Sequence, residues 1–450
     1  MSLNIVVIGA GEVGFNLAKS LSKEDHDITV IDLSSDRCDR VKNAIDAKVL
    51  CGNGASQRVL QQIDDMAQID YFLALTPLDE INLIASKAAK ALGAKKVIAR
   101  LRNTEFNHKE AVLKPFDFDI DYVSYPEKAA QKEIEKLIRR TSAVEVIGFN
   151  DDQITLVGIK LEVSSPLVGR SIKNVKLANP FINHQTCVIY REDSSFIPHA
   201  DTVYNKNDVV YFLSKTKDVD LIQQMAGKPS FDVKNIMVIG AGKIGRLLSK
   251  ALQYDYNLKV IEKSSDKANK YNSSLSNTLM LIGNALDTEF LESENIYETD
   301  CFIAATEDEQ TNIMSSLLAK DYGVKQVIVH ISTTNYIKPM RRMGIDAIVS
   351  KNISAVNEVF KFIHTDQQEI EISRFEDIDI DAIELDVIEG SKYLKKKYSI
   401  SDLPDSICLG AIVRNSEIII PNIKSNIQAG DKLLIFLKPE YISKVENIFH

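Results

Sequence analysis

Short, nearly unbroken apolar runs alternate with amphipathic stretches through residues 1–140, and the same alternation returns through 232–364. NIVVI at 4–8, ITVI at 28–31, the run at 47–50, DYFLAL at 70–75 and KVIAR at 96–100 read as strands covered on both faces. A half-exposed strand would instead alternate apolar with polar positions. The segments between them carry helical spacing, which predicts a parallel sheet with helices on both sides. Pro126 to Arg140 reads as a charged amphipathic helix leaving that sheet. A different pattern follows each block. Strand-like runs with polar turns, such as Thr155 to Val163, Cys187 to Tyr190 and Val209 to Leu213, predict a smaller β-rich domain over 141–226, recurring over 365–450. The expected fold class is α/β: two Rossmann-like parallel-sheet domains, 1–140 and 232–364, each followed by a smaller β-rich α+β domain.

The recurrence is an internal duplication. NIVVIGAGEVG at 4–14 returns as NIMVIGAGKIG at 235–245, Asp32 answers Glu262, and Gly52-Asn53 answers Gly283-Asn284. Thr76 answers Thr306, and the segment Asn82 to Arg100 answers Asn312 to His330. In the small domains, Ile197-Pro198 and Asn207-Asp208 answer Ile420-Pro421 and Gly430-Asp431. Gly227-Lys228-Pro229-Ser230 has the breaker composition of a linker between the halves.

Each glycine loop follows a strand and opens a helix. In such a βαβ unit the first glycine makes the turn, the second lets backbone approach a pyrophosphate, and the third lets helix and strand pack. The loops are Gly9, Ala10, Gly11, Glu12, Val13, Gly14 and Gly240, Ala241, Gly242, Lys243, Ile244, Gly245. Asp32 and Glu262, ending the second strands, are the acids that accept ribose hydroxyls, which favours NAD(H), or ATP or ADP, over a 2′-phosphorylated cofactor. Thr76 and Thr306 end the fourth strands, where a ligand sits in an open α/β sheet. Asn53 and Asn284 read equally as ligand contacts or as left-handed turn residues. Arg100 closes the fifth strand within reach of a phosphate or out in solvent, and its counterpart His330 is shorter and mostly neutral. Glu12 and Lys243 open the two phosphate-facing helices with opposite charge, which predicts a second site more tolerant of extra phosphate charge.

Composition narrows the function. With 45% hydrophobic and 26% charged residues, the 450-residue chain is an ordinary globular protein, and a net charge of -9 argues against nucleic acid as a partner. The cysteines Cys38, Cys51, Cys187, Cys301 and Cys408 never form a CxxC, so neither a metal site nor a disulfide framework is expected; they read as buried small hydrophobes in a reducing cytoplasm. The first residues lack a leader pattern and no stretch approaches the ~20 apolar residues of a membrane span. No catalytic residue is expected. The seven histidines form no HxxxH or HExxH pair, GxSxG and GxxxxGK[ST] are absent, and Tyr211/Lys215 of one YxxxK string falls on a strand. The other, Tyr393/Lys397, lies outside the nucleotide units.

GAGEVG with Asp32, GAGKIG with Glu262, the Thr76 to Asn82 and Thr306 to Asn312 segments, Arg100 and the duplicated Asn207-Asp208 and Gly430-Asp431 turns together resemble the tandem RCK (also called KTN) subunits of Trk potassium uptake systems. The resemblance covers nearly the whole chain. It implies a non-enzymatic regulatory subunit, peripheral on the cytoplasmic face of the membrane, assembled as a homo-oligomeric ring, expected as a tetramer. It implies binding of NAD(H) or adenine nucleotides and gating of a membrane potassium-translocating subunit. The family's arginine after the fifth strand is replaced by His330 in the second half. The competing expectation is an NAD-dependent oxidoreductase with an unrecognised active site, and a third is a redox-ratio sensor for a soluble partner.

Overall fold

The computed structural model describes residues 2–449 except Asp25, Lys109 and positions 368–370, 375–377, 397–399, 401, 402, 405, 423 and 424. Lys397 of the second YxxxK string therefore lies outside the described residues.

The apolar runs form strands where the sequence places them: β1 (Asn4–Ile8), β2 (Asp27–Asp32), β3 (Lys48–Cys51), β4 (Tyr71–Ala74) and β5 (Lys96–Arg100). A three-residue strand β6 (Tyr122–Ser124), too short to carry a periodic signal, completes the sheet. The strands run parallel in the order β3-β2-β1-β4-β5-β6. The order reverses between β2 and β4 on either side of β1, which opens a crevice at the carboxyl ends of the strands. Val6, Ile8, Phe72, Ala74 and Val97 pack under the helix Asp79–Ala91 through Leu83, Ala85 and Ala89. The duplicate sheet, β12 (Asn235–Ile239), β13 (Asn257–Glu262), β14 (Thr278–Ile282), β15 (Cys301–Ala304), β16 (Gln326–Ile331) and β17 (Ala347–Ser350), repeats the order as β14-β13-β12-β15-β16-β17.

Between the two parallel sheets in sequence lie β7 (Glu145–Phe149), β8 (Ile154–Lys160), β9 (Gln185–Arg191), β10 (Ser194–Phe196) and β11 (Val209–Lys215), an antiparallel sheet ordered β10-β9-β11-β8-β7. Its copy, β18 (Glu371–Arg374), β19 (Asp381–Asp386), β20 (Ile407–Arg414), β21 (Glu417–Ile419) and β22 (Lys432–Leu437), is ordered β21-β20-β22-β19-β18. These two sheets share one core, because Phe149, Tyr211 and Leu213 belong to the same apolar cluster as Ile380, Ala411 and Phe436. Phe149 and Phe436 meet edge to face at 6.3 Å. A side chain at Gly410 would lie 2.7 Å from Leu213 Cδ2, so glycine there permits the close approach.

The helices after each parallel sheet carry the chain elsewhere. Compact grouping joins 351–366 to residues 1–130, and 131–350 to 367–450. The helix Lys351–Gln367, late in sequence, packs on the first sheet: Tyr71 Oη donates to the Ile363 carbonyl (3.4 Å), Ser124 Oγ to Glu358 (2.9 Å), and Tyr122 stacks on Phe362 at 4.2 Å. Conversely, the predicted helix after β6, Pro126–Arg139, offers its Leu137 carbonyl to buried Gln326 of β16 (3.0 Å).

Two of the five cysteines depart from expectation. Cys38, on the helix Ser35–Ala44, and Cys51, ending β3, are joined as a disulfide with Cα atoms 6.2 Å apart. Cys51 is exposed rather than buried. They stand 13 residues apart, and only the fold of β2, helix and β3 brings them together. Cys187, Cys301 and Cys408 are free and buried, as small apolar side chains would be.

Candidate functional site

Backbone geometry requires the first and third glycine of each loop. Gly9 has φ +97°, and a Cβ there would sit 3.0 Å from the Thr76 backbone nitrogen; Gly240 repeats this with φ +97° and the Thr306 Cα at 2.9 Å. At Gly14 and Gly245 a Cβ would fall 1.9 Å from the carbonyl oxygen of Gly9 or Gly240, so only glycine lets the helix start against the strand. Gly11 differs: a Cβ there would meet nothing within 4 Å, and at Gly242 only the Ala305 oxygen at 3.9 Å. The open space lies at the N-cap of the helices Glu12–Ser22 and Lys243–Leu252, where unpaired N–H groups face outward and attract phosphate. The residues present therefore fit a dinucleotide's pyrophosphate in both halves.

Asp32 and Glu262 end β2 and β13 at matching places in the two halves. Asp32, 7% exposed, accepts from the Ala10 amide (2.6 Å) and the Ser34 amide (2.8 Å). Glu262 accepts from the Ala241 amide (2.9 Å) and the Ser264 amide (2.9 Å). These bonds tie each acid to its glycine loop and to the next helix cap. A carboxylate has about four acceptor positions, so two remain for ribose hydroxyls. Arg37 flanks Asp32 at 3.7 Å. The side chains of Val13 and Ile244 are buried on the core side of their helices.

Thr76 and Thr306 are fastened by a pair of asparagines that reading the sequence did not single out as site residues. Asn82, fully buried, accepts from the Thr76 amide (3.0 Å) and hydroxyl (2.7 Å) and donates to the carbonyls of Thr76 (2.9 Å) and Arg100 (2.7 Å). Asn312 accepts from the Thr306 amide (2.8 Å) and hydroxyl (2.7 Å) and donates to the carbonyls of Thr306 (3.0 Å) and His330 (3.0 Å). Each asparagine thus locks the ends of the fourth and fifth strands together beside the glycine loop. The signal was present in the sequence as asparagines six residues past both threonines.

Asn53 and Asn284 do not take the left-handed conformation. Each makes a turn with its side chain instead, accepting from the Ala55 amide (2.9 Å) and the Leu286 amide (3.2 Å). Arg100 ends β5 with Glu127, Arg102 and Asp79 as charged neighbours, and burial holds its pKa below the usual guanidinium value. Arg102 pairs with Glu127 at 3.6 Å. His330 is buried, 3% exposed, on β16. Glu12 is engaged by Arg40 at 3.2 Å, and Arg40 in turn lies over the Phe15 ring at 3.8 Å. That ion pair offsets the negative charge at the first helix and reduces the expected contrast with Lys243. Tyr211 of the first YxxxK string donates to Glu145 (2.8 Å) within the small-domain sheet, outside both parallel sheets.

Comparison with known proteins agrees with this geometry. The TrkA-N domain model matches residues 5–126 and 236–351, and the TrkA-C domain model matches 382–450. The Trk system potassium uptake protein TrkA of Vibrio alginolyticus is 30% identical over 99% of this chain and 98% of its own length. A TrkA homolog of Archaeoglobus fulgidus is 32% identical over 99% of this chain and 100% of its own. Among solved structures, the GsuK RCK domain superposes with a TM-score of 0.60 at 15% identity, covering 99% of this chain and 95% of that one. The GsuK channel bound to NAD gives 0.58 at 15%, covering 100% and 79%. Two parallel sheets with duplicated glycine loops and acids, matched over nearly the full length, make this chain a member of the TrkA family of Trk potassium uptake proteins.

Proposed function

We propose that this chain is the nucleotide-binding regulatory subunit of a Trk-type potassium uptake system, with no catalytic activity of its own. Its two sites take NAD(H), or ATP or ADP, on Gly9 to Gly14 with Asp32 and on Gly240 to Gly245 with Glu262. The observation that carries this reading is the repetition of one construction: an open N-cap glycine beside an acid already fixed by two amides and still holding free acceptor positions. Relatives named for potassium uptake, and a structural neighbour described as bound to NAD, support it. Among the described residues no helix is long and apolar enough to cross a membrane. The conducting path then belongs to a separate membrane subunit, on whose cytoplasmic face this chain docks as a homo-oligomer, a tetramer in our reading.

A ligand gates only by binding one conformation better than another. The Thr76–Asn82–Arg100 and Thr306–Asn312–His330 locks connect each nucleotide site to the fifth strand, which pairs with the last strand, β6 or β17, from which the chain leaves its sheet. Occupancy at the glycine loop is thereby coupled to the position of the exit segment. The test is potassium flux into vesicles carrying the membrane subunit, with and without this chain, across NADH and ATP concentrations. Nucleotide-dependent flux that requires the chain is expected. Flux indifferent to the chain, or NADH turnover with a carbonyl substrate, would overturn the reading.

A further inference from the structure

The disulfide between Cys38 and Cys51 sits on the elements that frame the first nucleotide site. Cys51 pairs in register with Asp32 across β2 and β3, and the Gly52 amide that follows it donates to the Asp32 carbonyl (2.9 Å). Cys38 Sγ lies 3.4 Å from that same carbonyl oxygen, in the first turns of the helix capped by Ser34. The two cysteines differ in access: Cys38 is fully buried and Cys51 exposed. Their Cα separation of 6.2 Å falls in the range that a disulfide spans without moving backbone. In the duplicate half the equivalent positions are Ala268, on the helix Ser265–Asn272, and Ile282, ending β14. The second site has no sulfur at either place.

We propose that Cys51 and Cys38 are a hydroperoxide-responsive thiol pair that places the first nucleotide site, and not the second, under redox control. The inference rests on the reading of Asp32 as the ribose acid of an NAD(H) site. The exposed Cys51 thiolate attacks one peroxide oxygen; the O–O bond breaks, the departing oxygen takes a proton, and Cys51 becomes a sulfenic acid. The sulfur of Cys38 then attacks the sulfur of Cys51. The S–S bond forms as the S–O bond breaks, and hydroxide leaves as water with the proton of Cys38. Two thiols lose two electrons and one peroxide gains them; two equivalents of a small thiol, which leave as their own disulfide, reverse the change.

Oxidation ties the helix that begins at Ser35 to the strand beside Asp32, holding the turn from Asp32 to Ser34 as it stands here. The carboxylate stays aligned by the Ala10 and Ser34 amides before any ligand arrives. The oxidised site therefore binds NADH more tightly, by about two- to tenfold, the gain from removing the ordering cost of one or two side chains.

The experiment uses the full chain carrying Glu262→Ala, so that the first site alone reports, treated with hydrogen peroxide or with dithiothreitol. Peptide mass mapping follows the Cys38–Cys51 link, and calorimetry follows NADH. Link formation together with tighter binding is expected, abolished in both Cys51→Ser and Cys38→Ala, the latter placing the second half's own residue. The Asp32→Ala chain, reporting the second site, is expected to show no redox response. Absence of the link after peroxide, or a link with NADH affinity unchanged, would overturn this inference alone. NADH failing to bind in either redox state would overturn the nucleotide reading and this inference with it.

Discussion

At the scale of the residue, the site depends on side chains that complete hydrogen bonds the backbone leaves open. Asp32 and Glu262 tie glycine loop to helix cap, and Asn82 and Asn312 tie strand to strand. A buried histidine in the first small domain gives a direct measure of folded-state packing. His184, 4% exposed, donates from Nδ1 to the Ile182 carbonyl (2.8 Å) and stands edge-on to Phe212 at 5.8 Å. Burial pushes its pKa from 6.5 down to about 4. The unfolded imidazole takes its proton near 6.5, whereas the folded one resists it. Its contribution is complete above that pH and is lost as pH falls from 6.5 towards 4, by ~3 kcal/mol. Thermal melts between pH 7.5 and 4 should show a shallower decline for His184→Gln than for the parent chain; equal slopes would contradict the assignment. The glycines and acids were legible in the sequence because they stand at a fixed spacing, GxGxxG with an acid about 20 residues on, and the spacing recurs in both halves. The asparagine locks were not, since Asn82 and the Arg100 carbonyl are 18 positions apart and meet only once β4 and β5 are paired. The same holds for Cys38 and Cys51.

At the scale of the element, duplication is most visible in the turns before β11 and β22. Asp208 accepts from Arg191 Nε (2.8 Å) and Nη2 (2.7 Å) and from the Asn205 amide (2.8 Å). Asp431 accepts from Arg414 Nε (2.7 Å) and Nη2 (2.7 Å) and from the Gln428 amide (2.7 Å). Both aspartates are buried, and the residues before them, Asn207 and Gly430, have φ of +67° and +82°, which asparagine and glycine tolerate. The repeated Asn-Asp and Gly-Asp pairs are thus clamps that fix the entry to a central strand. Arg191→Ala leaves a buried carboxylate with one backbone donor, at a cost of about 3 kcal/mol. Its denaturation midpoint should fall well below that of Arg191→Lys, which keeps the charge, and a midpoint equal to the parent's would show that the clamp carries no stability. Long apolar strands were legible from their β-branched composition. The short β6 was not, nor was the destination of the helix Lys351–Gln367, whose partners Tyr71, Tyr122 and Ser124 lie more than 200 positions earlier.

At the scale of the whole molecule, one plan is used twice, and the two copies differ at the residues proposed here to meet nucleotide and to respond to peroxide. Arg100 has His330 as its counterpart, Glu12 with its Arg40 partner has Lys243, and the Cys38–Cys51 pair has Ala268 and Ile282. The order of large and small domains could be read from the repeat, whereas the core shared by the two small sheets required packing that no periodicity reports. Each glycine loop with its acid is, in our proposal, a nucleotide site. NADH titration calorimetry on the parent chain, Asp32→Ala, Glu262→Ala and the double variant tests it most directly, because a hydrogen bond to a charged acceptor contributes about 1.5–3 kcal/mol, or roughly ten- to a hundredfold in affinity. Binding is expected at both sites in the parent, with loss of one in each single variant and none at comparable affinity in the double variant. A double variant that binds NADH with the parent's stoichiometry and affinity would contradict that proposal.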